Sequence, residues 1–139
     1  MKIILSGGGT GGHVYPALAI ADALKKEYND AEFLYVGVKG RAEEQIVPAM
    51  GYSIRYVHGM GFGGSLIGLG SLMSSLHLGL GLLQAALILI GFKPRLVIGT
   101  GGYASVLAVL AAVLLRKMGI LDCSIFIHEQ NYSPGRWNR

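Results

Sequence analysis

The stretch Ser6-Gly7-Gly8-Gly9-Thr10-Gly11-Gly12-His13, set between the apolar run Ile3-Ile4-Leu5 and Val14-Tyr15-Pro16-Ala17-Leu18, constrains this chain more than any other. It reads as strand, glycine loop, helix. Lacking a Cβ, glycine takes positive φ at little cost and lets backbone N–H groups come close to a ligand. Pro16 suits a first helical position, where its missing N–H costs nothing. The loop therefore brings a helix N-terminus, with its orphan donors and partial positive charge, to a point just past a strand end, a place that suits a phosphate or diphosphate.

Behind the loop, Ala17, Ile20, Ala21, Leu24 and Tyr28 recur at helical spacing with Asp22, Lys25, Lys26 and Glu27 opposite, which predicts an amphipathic helix against a sheet. Residues 32–37 predict a second strand, 41–50 a second helix, and 53–58, where Ile54, Tyr56 and His58 alternate, a third strand. A fourth strand over 95–99 runs into Gly99-Thr100-Gly101-Gly102-Tyr103-Ala104-Ser105, a second loop of the phosphate-binding kind. The helix it starts extends to about residue 118, with Val106, Val109, Leu110, Val113 and Leu114 as its apolar positions. A fifth strand, 123–128, ends at His128-Glu129-Gln130-Asn131. Strands alternating with helices predict an α/β fold, a doubly wound, Rossmann-like parallel sheet, and 139 residues suffice for one domain with a real core. The polar clusters all fall at the carboxyl ends of strands, where open α/β sheets bind ligands.

Between Arg55 and Lys93 no charged side chain occurs, and 78–92 is apolar nearly all round, with Gly79, Gly81 and Gln84 as exceptions. Three readings compete. A transmembrane helix over 78–92 is too short for a hydrocarbon core of about 30 Å, and the longer window from Leu66 is broken by glycines, serines and His77. A crossover helix buried against the sheet needs no special function. A helix whose outward face is also apolar, flanked by Lys93 and Arg95, can lie in the headgroup region of an anionic membrane. Only 14% of the residues are charged against 52% hydrophobic, so some apolar surface faces something other than water. The net charge of +4 favours an anionic partner, but the basic residues are scattered without interleaved aromatics, so no nucleic-acid partner is expected. A single cysteine, Cys123, excludes a disulfide framework and predicts a buried thiol. No signal-peptide pattern precedes the first strand, which predicts a cytoplasmic protein.

Gly7-x-Gly9-x-x-Gly12 matches the dinucleotide fingerprint, yet the second strand ends Val36-Gly37-Val38-Lys39, without the carboxylate that would hold a ribose. Lys39 and Arg41 leave an NADP-type domain as an alternative, and neither loop closes with the Lys-Ser or Lys-Thr of a Walker motif. His13 is placed to clamp a phosphate as imidazolium or to deprotonate a hydroxyl as neutral imidazole. Glu129 is the competing base, or else orients a loop by accepting backbone N–H bonds. His58 and His77 show no metal-ligand spacing with each other or with Cys123; they read as structural, and no metal site is expected.

The two glycine loops, taken with His13-Val14-Tyr15-Pro16-Ala17-Leu18-Ala19 and His128-Glu129-Gln130-Asn131, resemble the amino-terminal domain of the MurG family of glycosyltransferases, in order and across 1–139. The resemblance implies one half of a two-domain GT-B enzyme: an acceptor-binding domain over 1–139, with a donor-binding carboxyl-terminal domain outside this chain. It implies transfer of N-acetylglucosamine from UDP-N-acetylglucosamine to undecaprenyl-diphosphate-linked muramyl pentapeptide in peptidoglycan synthesis, by an inverting single displacement without a cofactor, at the cytoplasmic face of the membrane. By the same resemblance Gly7, Gly8, Gly9, Gly11, Gly12, Gly99, Gly101, Gly102 and Tyr103 hold the acceptor diphosphate. Thr10, Gly11, Gly12 and Asn131 reach the donor. His13 and Glu129 serve catalysis or acceptor binding, and Leu66, Leu69, Leu72, Met73 and Leu76 meet the membrane. Val106 stands where the family commonly has glycine, and the basic residues usual in its membrane patch are missing here. An acceptor- or membrane-binding half that works with a separate donor chain is the second reading.

Overall fold

The computed structural model describes residues 1–59 and 69–129. Five strands alternate with four helices: β1 (Lys2–Ser6), α1 (Gly11–Glu27), β2 (Glu32–Gly37), α2 (Ala42–Ala49), β3 (Ser53–Tyr56), α3 (Leu69–Phe92), β4 (Leu96–Gly99), α4 (Tyr103–Lys117) and β5 (Ser124–Ile127). All neighbouring strands are parallel, in the order β3-β2-β1-β4-β5. The order reverses between β1 and β4, so the loops that follow these two strands emerge side by side at the crevice where doubly wound sheets bind ligands.

Strand alternation sorts the core into two layers. Ile3, Leu5, Tyr35 and Ile98 pack with Val14, Ala17, Leu18 and Ala21 of α1 and Val47 of α2. Ile4, Leu34, Val36 and Val97 face the other way, onto Ala85 and Leu89 of α3 and a row of α4 residues. Side chains of opposite parity along a strand point to opposite faces, and a sheet covered on both faces reads as the continuous apolar run seen at 3–5. The doubly wound expectation holds.

Three details differ from expectation. Pro16 lies inside α1, because the helix already begins at Gly11; the second half of the glycine loop is itself the first helical turn. Pro16 therefore removes one intrahelical hydrogen bond rather than occupying a free position. Tyr28 is half-exposed beyond the end of α1, which buries Val14 and Leu18 instead. On α4 the packed side is Ala104, Leu107, Ala108, Ala111, Ala112 and Leu115, while Leu110 and Leu114 are exposed. That helix is apolar all round, so periodicity could not choose its inner face. The alanines do, since small side chains let it approach both the sheet and α3.

The uncharged stretch supplies the crossover helix. Ser75–Phe92 is apolar enough in length and composition to cross a membrane, but Ala85 and Leu89 are fully buried in the sheet core. A Cβ at Gly81 would collide with the carbonyl oxygen of His58 and come within 2.8 Å of Leu107, so this glycine lets α3 lie close against the chain leaving β3. Gln84 accepts the His58 N–H at 2.5 Å. The opposite face is unlike that of an ordinary surface helix: Leu76, Leu80, Leu83, Leu87 and Ile90 are all exposed. Of the expected membrane residues only Leu76 can be placed; Leu66 and the side chains of Leu69, Leu72 and Met73 lie outside the described residues.

Candidate functional site

The β1–α1 and β4–α4 loops interlock. Gly8 N–H donates to the Gly101 carbonyl at 3.1 Å and Thr100 N–H to that of Ser6 at 2.9 Å. The Thr100 hydroxyl donates to the His13 carbonyl at 2.6 Å. Several glycines make this contact possible. A Cβ on Gly7 would strike Thr100 Oγ1, one on Gly102 the Gly8 carbonyl, and one on Gly101 the His13 ring at 2.6 Å. Gly101 and Gly102 also sit at φ of 111° and 84°, where a side chain is strained. Gly99 is packed against Ser105 and Val109.

Gly9 and Gly12 are the open ones, whereas a Cβ on Gly11 would press on the Tyr15 ring at 3.2 Å. Gly9 turns the chain at φ 92° with nothing within 4 Å of where a Cβ would stand, and Gly12 meets only Thr10 Oγ1, at 3.6 Å. Gly11 and Gly12 are the first residues of α1, so their N–H groups have no partner within the helix. The start of α4 lies opposite, and between the two helix ends is a cavity of about 210 Å³. Gly8, Gly9, Thr10 and His13 line one side, Gly102, Tyr103 and Ala104 another, and Arg41 and Glu43 a third, with Val38 and Gly59 between. Two helix N-termini, an imidazole and a guanidinium on the wall of a cavity of that size are groups able to receive an anion, with the Glu43 carboxylate beside them.

His13 Nδ1 lies 3.1 Å from the Thr100 carbonyl. A carbonyl only accepts, so in the neutral ring Nδ1 carries the proton and Nε2 keeps the lone pair. The arrangement fits a base acting through Nε2. Tyr35 donates to the Gly7 carbonyl at 2.5 Å, and burial, aided by the nearby Glu43 charge, pushes its pKa far up. Burial also raises the pKa of Tyr103 and of the Cys123 thiol; Cys123 is buried and free, as expected.

Glu129 lies just beyond β5 and is not on the wall of this cavity; Gln130 and Asn131 are outside the described residues. Of the two cations considered for a nucleotide phosphate, Arg41 reaches the cavity, whereas Lys39 sits 5.7 Å from the Tyr56 ring. His58 and His77 are brought together although nothing in their spacing suggested it: Nε2 of one lies 2.8 Å from Nδ1 of the other. Among the described residues no group of three or more His, Cys, Asp or Glu could hold a metal ion.

Sequence reasoning missed Glu43. It is fully buried, with one carboxylate oxygen accepting Gly9 N–H at 3.0 Å and the other Val38 N–H at 3.1 Å. An acidic residue in the first turn of a helix ordinarily complements the helix dipole in water. The one local cue is Gly37, where a Cβ would crowd Glu43 Cγ at 2.7 Å.

Comparison with known proteins agrees with this geometry. Residues 3–139 match the model of the glycosyltransferase family 28 N-terminal domain. The chain is 42% identical over 139 residues to the UDP-N-acetylglucosamine–N-acetylmuramyl-(pentapeptide) pyrophosphoryl-undecaprenol N-acetylglucosamine transferase of Alkaliphilus oremlandii. It is 44% identical over 140 residues to the protein of the same name from Clostridioides difficile. Each comparison covers all of this chain but only 36% and 32% of those relatives, so the chain spans about a third of their length. The crystal structure of Acinetobacter baumannii MurG superposes with a TM-score of 0.79 at 26% identity, over 99% of this chain and 37% of that one. With two glycine loops meeting at the switch point of a doubly wound sheet and a family match over 3–139, the chain belongs to glycosyltransferase family 28, as its N-terminal domain.

Proposed function

We propose that this chain is the acceptor-binding domain of a transferase that moves N-acetylglucosamine from UDP-N-acetylglucosamine to undecaprenyl-diphosphate-linked muramyl pentapeptide. The observation that carries the reading is the cavity between the N-termini of α1 and α4, with His13 and Arg41 on its wall. A diphosphate there accepts from the first-turn N–H groups of α1, Gly11 and Gly12 among them, and meets the positive end of both helix dipoles. Gly8 and Gly9 shape the site instead of donating to the ligand, because their N–H groups are already used. Gly7, Gly99, Gly101 and Gly102 permit the close packing of the two loops.

The reaction is one displacement. His13 Nε2 takes the proton of the acceptor sugar hydroxyl as that oxygen attacks the anomeric carbon, and the bond to UDP breaks, inverting the centre. Glu129 is the second candidate base. Thr10, Gly11, Gly12 and Asn131 face the donor, held mainly by a carboxyl-terminal domain. The exposed leucines of α3 lie on the anionic cytoplasmic face of the membrane and bring the cavity to a lipid-linked acceptor.

Calorimetric titration of the chain with a soluble polyprenyl-diphosphate acceptor analogue and with UDP-N-acetylglucosamine tests this. Acceptor binding with weak or no donor binding is expected. Binding of neither, with uptake of NADP, would overturn the reading in favour of a dinucleotide domain.

A further inference from the structure

We propose that Glu43 is a positioning residue for the anion site, a buried carboxylate that aims the N-terminus of α1 into the cavity by holding Gly9. The inference rests on the reading of that cavity as a diphosphate site. One oxygen of Glu43 takes the Gly9 N–H and the other the Val38 N–H, at 3.0 and 3.1 Å. The carboxylate thus ties the loop after β1 to the loop after β2. Gly9 is the residue at which the first loop turns, with φ 92° and open space around it, and α1 begins two residues later. Fixing the Gly9 amide therefore fixes the direction in which the N–H groups of Gly11 and Gly12 point. Through Val38 the same side chain steadies the segment that carries Arg41 to the rim. A Cβ at Gly8 would collide with the carboxylate, so this glycine makes the close contact possible.

Positioning and simple electrostatics predict opposite results for the removal of this charge. Glu43 lines a site meant for an anion, so if it acted only through its charge, Glu43→Gln would relieve repulsion and tighten anion binding. If it acts by accepting two N–H groups, glutamine fails, because its amide offers one oxygen and sets an NH₂ against the second donor. Gly9 or Val38 is then released and binding weakens.

The probe is inorganic pyrophosphate, titrated calorimetrically into the 139-residue chain at low salt, beside Val47→Ala as a destabilised control in the same helix. The expected result is a loss of about tenfold or more in affinity for Glu43→Gln, with Val47→Ala close to the unaltered chain and Glu43→Asp between. Equal or tighter binding by Glu43→Gln overturns the inference alone. Failure of the unaltered chain to bind pyrophosphate overturns the cavity reading and this inference with it. A measurement without substitution guards against a variant that does not fold. The Gly9 amide, although its residue is exposed, should exchange with solvent roughly a hundredfold more slowly than an unstructured amide before any ligand is added. Fast exchange there would also overturn the proposal.

Discussion

Tyr35 ties the glycine loop to the sheet from below, its phenol fully buried and donating to the Gly7 carbonyl. Tyr35→Phe leaves that carbonyl without its donor, and a cost of about 1–3 kcal/mol is expected from chemical denaturation. The same phenol makes stability depend on alkaline pH. Burial raises its folded-state pKa above the ordinary 10.0, so its contribution is fully present below pH 10 and is lost as the unfolded phenol begins to ionise above it. Tyr52, raised by burial and by its hydrogen bond to Asp22, acts in the same sense. Stability measured from pH 8 to 11 should therefore fall at the alkaline end, less steeply in Tyr35→Phe; an unchanged slope would remove Tyr35 from the account. Gly102→Ala tests the loop junction by a separate route. At φ 84° and with its Cβ driven into the Gly8 carbonyl, alanine should cost about 2 kcal/mol or more. Gly9→Ala, equally left-handed but in open space, should cost less. Glycines that look alike in the chain differ in this way, because a one-dimensional pattern records a missing Cβ but not the atom that would meet it.

At the scale of elements, alternation of strands and helices was legible because each strand is a short apolar run closed by polar or glycine residues. The inner faces of α3 and α4 were not, since neither helix has a polar side to mark its outside. On α3 the structure separates Gly81, Ala85 and Leu89, which are buried, from Leu76, Leu80, Leu83 and Leu87, which are exposed. The exposed set follows alternating spacings of four and three, a continuous stripe along one side of the helix. Replacing Leu80, Leu83 and Leu87 together by glutamine removes apolar surface that the fold does not use. Each change should alter folding stability by no more than about 0.5 kcal/mol. Sedimentation with anionic vesicles should nevertheless fall sharply. Binding that resists high salt in the unaltered chain indicates apolar insertion, and binding lost at high salt indicates electrostatics. Unchanged sedimentation of the triple variant would return α3 to a crossover helix and nothing more. The pairing of His58 with His77 was equally hidden. Nineteen positions apart in sequence, they meet only because α3 returns along the end of β3, a tertiary consequence that no local spacing encodes.

For the molecule as a whole, the sheet places the proposed ligand groups among the described residues on one edge. β1 and β4 are hydrogen-bonded neighbours, and His128 N–H donates to the Gly99 carbonyl at 2.8 Å, which brings the end of β5 beside the second loop. The loops, read as ligand-binding from their glycines, were thus correctly grouped by topology, while Arg41 and Glu43 joined them from a helix start that carried no recognisable motif. On the proposed reading this edge takes the acceptor and a second body presents the donor; the chain spans about a third of the length of its relatives. Supplying the carboxyl-terminal part of the Clostridioides difficile relative, fused after residue 139, should therefore give transfer of N-acetylglucosamine to a soluble polyprenyl-diphosphate acceptor. The 139-residue chain alone should give none. In that fusion His13→Ala should lower kcat by roughly 10² to 10⁴, the range expected for loss of a general base. Pyrophosphate affinity should change much less, since the helix N-termini remain. A loss confined to KM would recast His13 as an acceptor clamp and leave Glu129 as the base, and a fusion that transfers sugar equally well without His13 would remove the imidazole from the mechanism.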